Sequence, residues 1–198
     1  MAENAATVHQ KVTLGAGKWY VTPWEAGAIK LDEVIKDENL MGYTQGGATI
    51  SFTPTMKTIE DDTGNVRKVF KTAANAEMKT GLLTFTLESL NKIMSFGRLE
   101  NGSEGSGTKI LKLSAGKEEL KKFCVAFEYK DDEGNYMRIG MVASNTSTLE
   151  LAFTKDTETV VDMTFAAESN GVDNVIVVFE EGKTTAAAAE QNAEQGET

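Results

Sequence analysis

The chain predicts a mainly β protein with one amphipathic helix packed on its sheet, and three observations carry that reading. Apolar and polar residues alternate with period two in stretch after stretch. Turn sequences rich in Asp, Asn and Gly separate those stretches. Only around 87–97 does the apolar spacing become helical. With 198 residues and 40% hydrophobic side chains, the prior is one domain with a core of its own.

Taken in order, residues 1–9 read as an N-terminal tail. Trp19 and Trp24 flank Pro23, and anchoring an N-terminal segment to the body accounts for both rings better than ligand stacking does. The stretch AIKLDEVIKDENL is ambiguous: Ile29, Val34 and Ile35 partly fit a helix, whereas the flanking EAG and the DEN within it read as loop. Ala48, Ile50 and Phe52 alternate with Thr49, Ser51 and Thr53, a strand with one buried and one solvated face. Leu83, Phe85 and Leu87 share one side of a further strand. Leu87, Leu90, Ile93 and Met94, with Glu88 in the first turn, then predict a helix capped by Gly97. LENGSEGSGTK is polar and glycine-rich and reads as a mobile surface loop.

Phe123, Val125, Phe127 and Tyr129 form one side of a strand, DDEG turns the chain, and Met137, Ile139 and Met141 form a side of the next. Leu149, Leu151 and Phe153, a KDTE turn, and Val161, Met163 and Phe165 predict a second hairpin. NVIVVFEE is a continuous β-branched run, the pattern of a strand buried on both faces or covered by a partner. Residues 183–198 contain no apolar side chain larger than alanine and read as a disordered or frayed tail.

Charge and cysteine usage narrow the function classes. Thirty acidic residues against twenty basic ones, with no long basic cluster, argue against a surface built to grip nucleic acid phosphates. The first ten residues lack a basic segment followed by an apolar run, and no run approaches the roughly eighteen apolar residues of a membrane span, so synthesis and retention in the cytoplasm are expected. A single cysteine, Cys124, rules out an internal disulfide and a cysteine-based zinc site; between Phe123 and Val125 it reads as core packing.

Two near-identical stretches, EDDTGN at 60–65 and KDDEGN at 130–135, invite a calcium-loop reading and fail it. Aligning Gly64 or Gly134 to the sixth position puts Ile59 or Tyr129 first and Phe70 or Gly140 twelfth, so neither end ligates a metal. Both read as turns between strands. The run from Gly102 through Gly107 to Lys109 imitates a phosphate loop, but Thr108 and Lys109 are transposed, Glu104 sits where phosphate charge would go, and no apolar strand precedes it. His9 is the only histidine and lies in the expected tail, which leaves no histidine base for a nucleophilic triad. The acids gather in turns, at Glu60, Asp61, Asp62 and at Asp131, Asp132, Glu133, where solvation explains them. No catalytic residue, metal ligand or cofactor site is expected, and no enzymatic activity.

The order of features resembles the family of phage tail tube proteins, or major tail proteins, related to the tubes of contractile injection machines and type VI secretion. The matching parts are an opening strand ending in the Pro-containing YVTPWEAG, the strand GYTQGGATISFTP, the long hairpin TMKTIEDDTGNVRKVFKT, a helix after GLLTFTLE, and closing antiparallel strands ending at NVIVVFEE. The resemblance covers roughly 10–182. It implies an antiparallel β-sandwich or barrel-like domain with one flanking α-helix and a long protruding hairpin, assembling into stacked hexameric rings around a channel. Ile59, Glu60, Asp61, Asp62, Thr63, Gly64, Asn65 and Val66 would then be an inter-subunit contact at the hairpin tip. Partners implied are other copies of the chain, a tape measure protein in the lumen, and tail terminator and baseplate or tip proteins. DNA would pass without specific binding, and the protein would reside in the virion tail after assembly in the host cytoplasm. Six copies would bring on the order of sixty excess negative charges to a ring, and an acidic lumen would repel DNA phosphate.

Two other function classes stand beside this one. A monomeric immunoglobulin-like module on a virion, binding carbohydrate or a receptor, would draw on Trp19, Trp24, Tyr43 and Tyr136 at one loop end. An enzyme would need a carboxylate pair that the sequence does not single out.

Overall fold

A computed structural model describes residues 17–63, 67–94, 96–103, 106–116, 119–153, 155, 158–172 and 175–183. His9 and the expected tail at 1–9 lie outside them, as do residues 184–198. The fold is mainly β with antiparallel pairing and two short α-helices. Strands β1 (Lys18–Pro23), β2 (Leu40–Gly42), β3 (Thr44–Glu60) and β4 (Arg67–Leu82) precede helix α2 (Leu87–Ile93). Strands β5 (Gly97–Asn101), β6 (Lys109–Leu113), β7 (Lys122–Lys130), β8 (Asn135–Asn145), β9 (Val161–Ala167) and β10 (Val178–Lys183) follow. One turn of helix, α1 (Leu31–Val34), and a 3-10 turn at Asp37–Asn39 fill the ambiguous stretch after β1.

The main sheet runs β2-β1-β7-β8-β9-β4-β3, and β10 also pairs with β8. β8 is long enough to serve two neighbours along one edge: β10 takes Asn135–Gly140 and β9 takes Ala143–Asn145. Period-two side chains from successive strands meet on one face: Trp19 and Val21, Phe123 and Val125, Met141, Met163 and Phe165, Met78 and Leu82. Trp19 is fully buried, tilted against Phe127 at 5.6 Å and stacked on Phe165 at 6.3 Å between ring centroids. Leu90, Ile93 and Met94 from α2, and Phe96 and Leu111 from the β5–β6 hairpin, cover this face.

The opposite face of β1 and β7 holds a smaller core of Tyr20, Cys124 and Ala126 under Leu31 and Val34 of α1. Gly140 makes that approach possible, since a Cβ there would stand 2.3 Å from Leu31 Cδ2. β7 is therefore buried on both faces, which is why Cys124 sits in a core although it alternates with Phe123 and Val125.

The β7–β8 hairpin has the expected register, with Val125 opposite Met141, Phe127 opposite Ile139 and Tyr129 opposite Met137. Several expectations need correction. β4 ends at Leu82, so Leu83, Phe85 and Leu87 are not a strand. Thr86 starts a helix instead: its side chain accepts from Ser89 N and the Ser89 side chain accepts from Thr86 N, a reciprocal cap that outweighs local alternation. Gly97 does not cap that helix; the capping position is Met94, and Gly97 opens β5. Leu99, Glu100 and Asn101 belong to β5 rather than to a loop, so a strand does precede 102–108, but a strand also follows it.

The described residues between 146 and 160 form no strand, so no second hairpin joins Leu149–Phe153 to β9. Leu149 and Leu151 pack on the core while β9 finds its partners in β8 and β4. The run NVIVVFEE becomes a strand only from Val178; β10 pairs on one edge and leaves Phe179 largely exposed.

Candidate functional site

β3 and β4 are the longest strands of the chain, and β9 covers only the base of their hairpin. Ladder pairing between β4 and β9 spans Glu77–Leu82, whereas β3 and β4 pair with each other from Thr44 opposite Leu82 to Glu60 opposite Arg67. Beyond Thr53 and Asn75 the two strands have only one another among the described residues, a ribbon about 25 Å long at roughly 3.3 Å per residue. Isolated two-stranded ribbons are marginal in water, and uncovered strand edges invite pairing with another chain.

Two irregularities set which side chains share a face. Gly46 and Gly47, at φ of 82° and 75°, form a bulge at the base of β3, where the hydroxyl of the buried Thr80 donates to Gly47 O at 3.0 Å. Thr72 is an extra residue in β4: Thr55 faces Ala73 but Met56 faces Lys71, and the Thr72 hydroxyl donates to Thr55 O at 3.1 Å. On the proximal ribbon one face continues the core with Ile50, Phe52, Pro54, Ala74 and Ala76, and the other carries Thr49, Ser51, Thr53, Asn75 and Glu77.

Past Thr72 both faces carry apolar side chains. Met56 pairs with Lys71 and Val69 with Thr58 on one face; Ile59 pairs with Lys68 and Phe70 with Lys57 on the other. Met56, Ile59, Val69 and Phe70 are all about half exposed, as is Phe52, over whose ring Lys71 Nζ lies 5.8 Å away. Apolar side chains uncovered on a two-stranded ribbon make it a candidate interaction surface, although Tyr43, Phe153 and Phe179 are exposed elsewhere. The hairpin is neutral in an acidic chain. Over 51–77, Lys57, Arg67, Lys68 and Lys71 stand against Glu60, Asp61, Asp62 and Glu77, while the whole chain carries −10.

The tip holds the residues expected to make an inter-subunit contact. Ile59 and Glu60 end β3, and Asp61, Asp62 and Thr63 begin the turn; Gly64, Asn65 and Val66 lie outside the described residues. Glu60 Oε1 accepts from Arg67 Nε at 3.0 Å across the strand ends, and the Thr63 hydroxyl donates to Asp61 Oδ2. The second acidic stretch is a tight hairpin turn. Asp131 Oδ1 accepts from the backbone N–H of Glu133 at 3.1 Å and of Asn135 at 2.8 Å, and Gly134 takes the φ of 81° that the turn demands. That aspartate organises backbone rather than chemistry. Among the described residues no group of three or more His, Cys, Asp or Glu is placed to hold a metal ion. Met56, Lys57, Val69 and Phe70 extend the candidate surface beyond the tip.

The other ionisable groups of the sheet are structural. Arg138 lies over the Tyr136 ring at 4.2 Å and donates to Glu128 at 2.9 Å, Asp32 at 2.8 Å and Glu180 at 3.2 Å, tying α1 and β10 to the sheet. Burial works against its charge, but the hydrogen bond and charge of Glu128, with the charges of Glu180 and Tyr136, together more than offset that and hold its pKa above the usual value. Beside it Tyr20 is pushed up to about 12, by burial first and then by the negative charge of Glu128. Burial raises Cys124 to about 11. The 102–108 segment joins two antiparallel strands and not a strand to a helix, so no helix N-terminus stands behind it to hold a phosphate. No helix among the described residues is long and apolar enough to cross a membrane.

Compared with known proteins, the chain matches no family model and no curated protein.

Proposed function

We propose that the chain is a structural virion protein that assembles into stacked hexameric rings forming a phage tail tube. The tube is a channel through which DNA passes into the host cell. The observation that carries this reading is the free-standing β3–β4 ribbon, apolar on both distal faces. A monomer gains nothing from such a ribbon. A second copy covers its apolar side chains, and repetition of one such contact around an axis closes a ring.

The outward face of β9, β4 and β3 suits a wall that DNA slides past. It carries Thr49, Ser51, Thr53, Asn75 and Thr164, with Lys79 neutralised by Glu77 at 2.8 Å. A monomeric binding module has less support: of the four aromatic residues it would use, Trp19 is fully buried, Trp24 half-buried and Tyr136 packed under Arg138, which leaves Tyr43 as the exposed one.

The reading is tested by trimming the ribbon. Met56 and Lys71 are cross-strand partners, so replacing residues 57–70 by Asn-Gly closes a shorter hairpin on an unchanged body. The shortened chain is expected to keep its circular dichroism and lose all association in light scattering. Assembly as strong as that of the full chain would overturn the proposal.

A further inference from the structure

The ladders set two unpaired strand edges on either side of one gap in the sheet. β7 lines one edge of β8, so β9 and β10 share the other edge, end to end. β10 thus stands in line with β9, and its second edge, which carries no ladder among the described residues, turns toward the line of β4. The levels agree as well. Ser144 faces Ala166, and Ala166 faces Glu77. Four residues along β8, Gly140 faces Val178, and four residues along β4 stands Ala73. At the far end Asn135 faces Lys183, which brings Lys183 level with Arg67 once the extra residue Thr72 is counted. β10 and the distal part of β4 therefore run antiparallel along a notch that begins where β9 ends. Their faces also correspond. Phe179 and Glu181 stand opposite Ile139 and Met137 on the core face, and Val69 shares that face of the ribbon with Lys71, whose Nζ lies 5.8 Å from the centre of the Phe52 ring.

We propose that this notch closes: β4 zips onto β10 from Ala73 to Arg67, in the register that β9 already sets, and the projecting ribbon becomes part of the body. Three features favour closure. Extending an existing ladder requires no new loop to be closed, both strands lose an open edge, and a ribbon that is marginal by itself gains a third strand. In that register Phe179, 62% exposed, stands beside Lys71 and diagonal to Val69, while Val178 meets Ala73. Glu181 falls between Lys71 and Arg67 on one face, and Glu180 lies diagonal to Lys68 on the other. Arg67 opposite Lys183 is a like-charged rung, but it lies at the open end, where Arg67 already donates to Glu60. Closing withdraws the arm that self-assembly uses, so it switches association off; that consequence rests on the self-assembly reading, and the closure itself does not.

Two double variants of the full chain put cysteines on matched rungs, Val69→Cys with Glu181→Cys and Phe70→Cys with Glu180→Cys. Of two adjacent rungs one is of the closer, non-hydrogen-bonded kind. Val69→Cys with Glu180→Cys, whose side chains point to opposite faces, is the control. Cys124 is buried and does not compete. Under mild oxidation at high dilution, a disulfide within the chain is expected to form at least tenfold faster in a matched pair than in the control, with circular dichroism unchanged. If neither matched pair outpaces the control, or if bonds form only between chains, the closure is overturned. The chain locked shut is expected to associate at least tenfold more weakly in light scattering than the same chain reduced. Equal association would overturn the switch and leave the closure standing, and an unaltered chain that stays monomeric would remove the self-assembly reading alone.

Discussion

Replacing Met56 and Val69 together by threonine isolates the apolar contribution of the ribbon to association. Both side chains are more than half exposed, 56% and 57%, so a partner has about half of each still to cover. Complete burial of a Met or Val side chain is worth about 1.5–3 kcal/mol, and half of that is roughly 1 kcal/mol per residue. The pair therefore contributes about 2 kcal/mol to each ribbon contact, close to a thirtyfold change in association constant. Threonine is β-branched, as strands favour, and neither position supports the core, so the fold should not change. Light scattering against concentration is expected to show the association midpoint moving up by about thirtyfold, with the unfolding midpoint of the monomer within a degree or two. An unshifted association curve would refute the reasoning, and so would a large loss of monomer stability.

Trp19→Ala is expected to destabilise the chain by about 3–5 kcal/mol in denaturant titrations, since the indole is fully buried between Phe127 and Phe165. Glu168 supplies a pH-dependent increment. Burial raises its pKa, but hydrogen bonds from Ser144 and Lys122 prevail and hold it below the usual carboxylate value. A folded-state pKa below the unfolded one stabilises the protein above the ordinary carboxylate range, and that stability is lost as pH falls through the folded pKa. Glu168→Gln should flatten the acid limb of a stability–pH profile; an unchanged limb would remove Glu168 from the account. Cys124, held near 11 by burial, should resist thiol reagents at pH 8 in the folded chain and react on unfolding. Rapid labelling of the native protein would show that β7 is not the doubly covered strand described above.

Much of the sheet was legible because burial on one face leaves a period-two trace. Phe123 to Tyr129 and Met137 to Met141 announce a hairpin and exclude any one-residue slip of its register, which would turn one apolar face to the other side of the sheet. What failed were places where that trace is shared by something other than a paired strand. Leu149 and Leu151 alternate with polar neighbours because they pack on the core, yet after Thr146 N–H donates to Thr164 O at 2.9 Å the chain leaves β9 and no ladder follows. Leu83 and Phe85 continue the rhythm of β4, but the Thr86–Ser89 cap decides the local structure.

The candidate site was half legible. DDTGN marks a turn, and the flanking strands mark a hairpin. How far that hairpin outruns the sheet depends on where β9 stops, far away in sequence. The side chains its faces show depend on the extra residue Thr72, which leaves Met56 opposite Lys71 rather than Thr72. The notch between β4 and β10 left no trace, because it depends on β9 and β10 sharing one edge of β8, which only the fold creates.

Self-assembly of the full chain is the central claim, and negative-stain electron microscopy at rising concentration, with light scattering to count subunits, tests it most directly. Rings of uniform width containing six copies, stacking into tubes as concentration rises, are the predicted result. A particle that keeps the mass of a single chain at every concentration would contradict it.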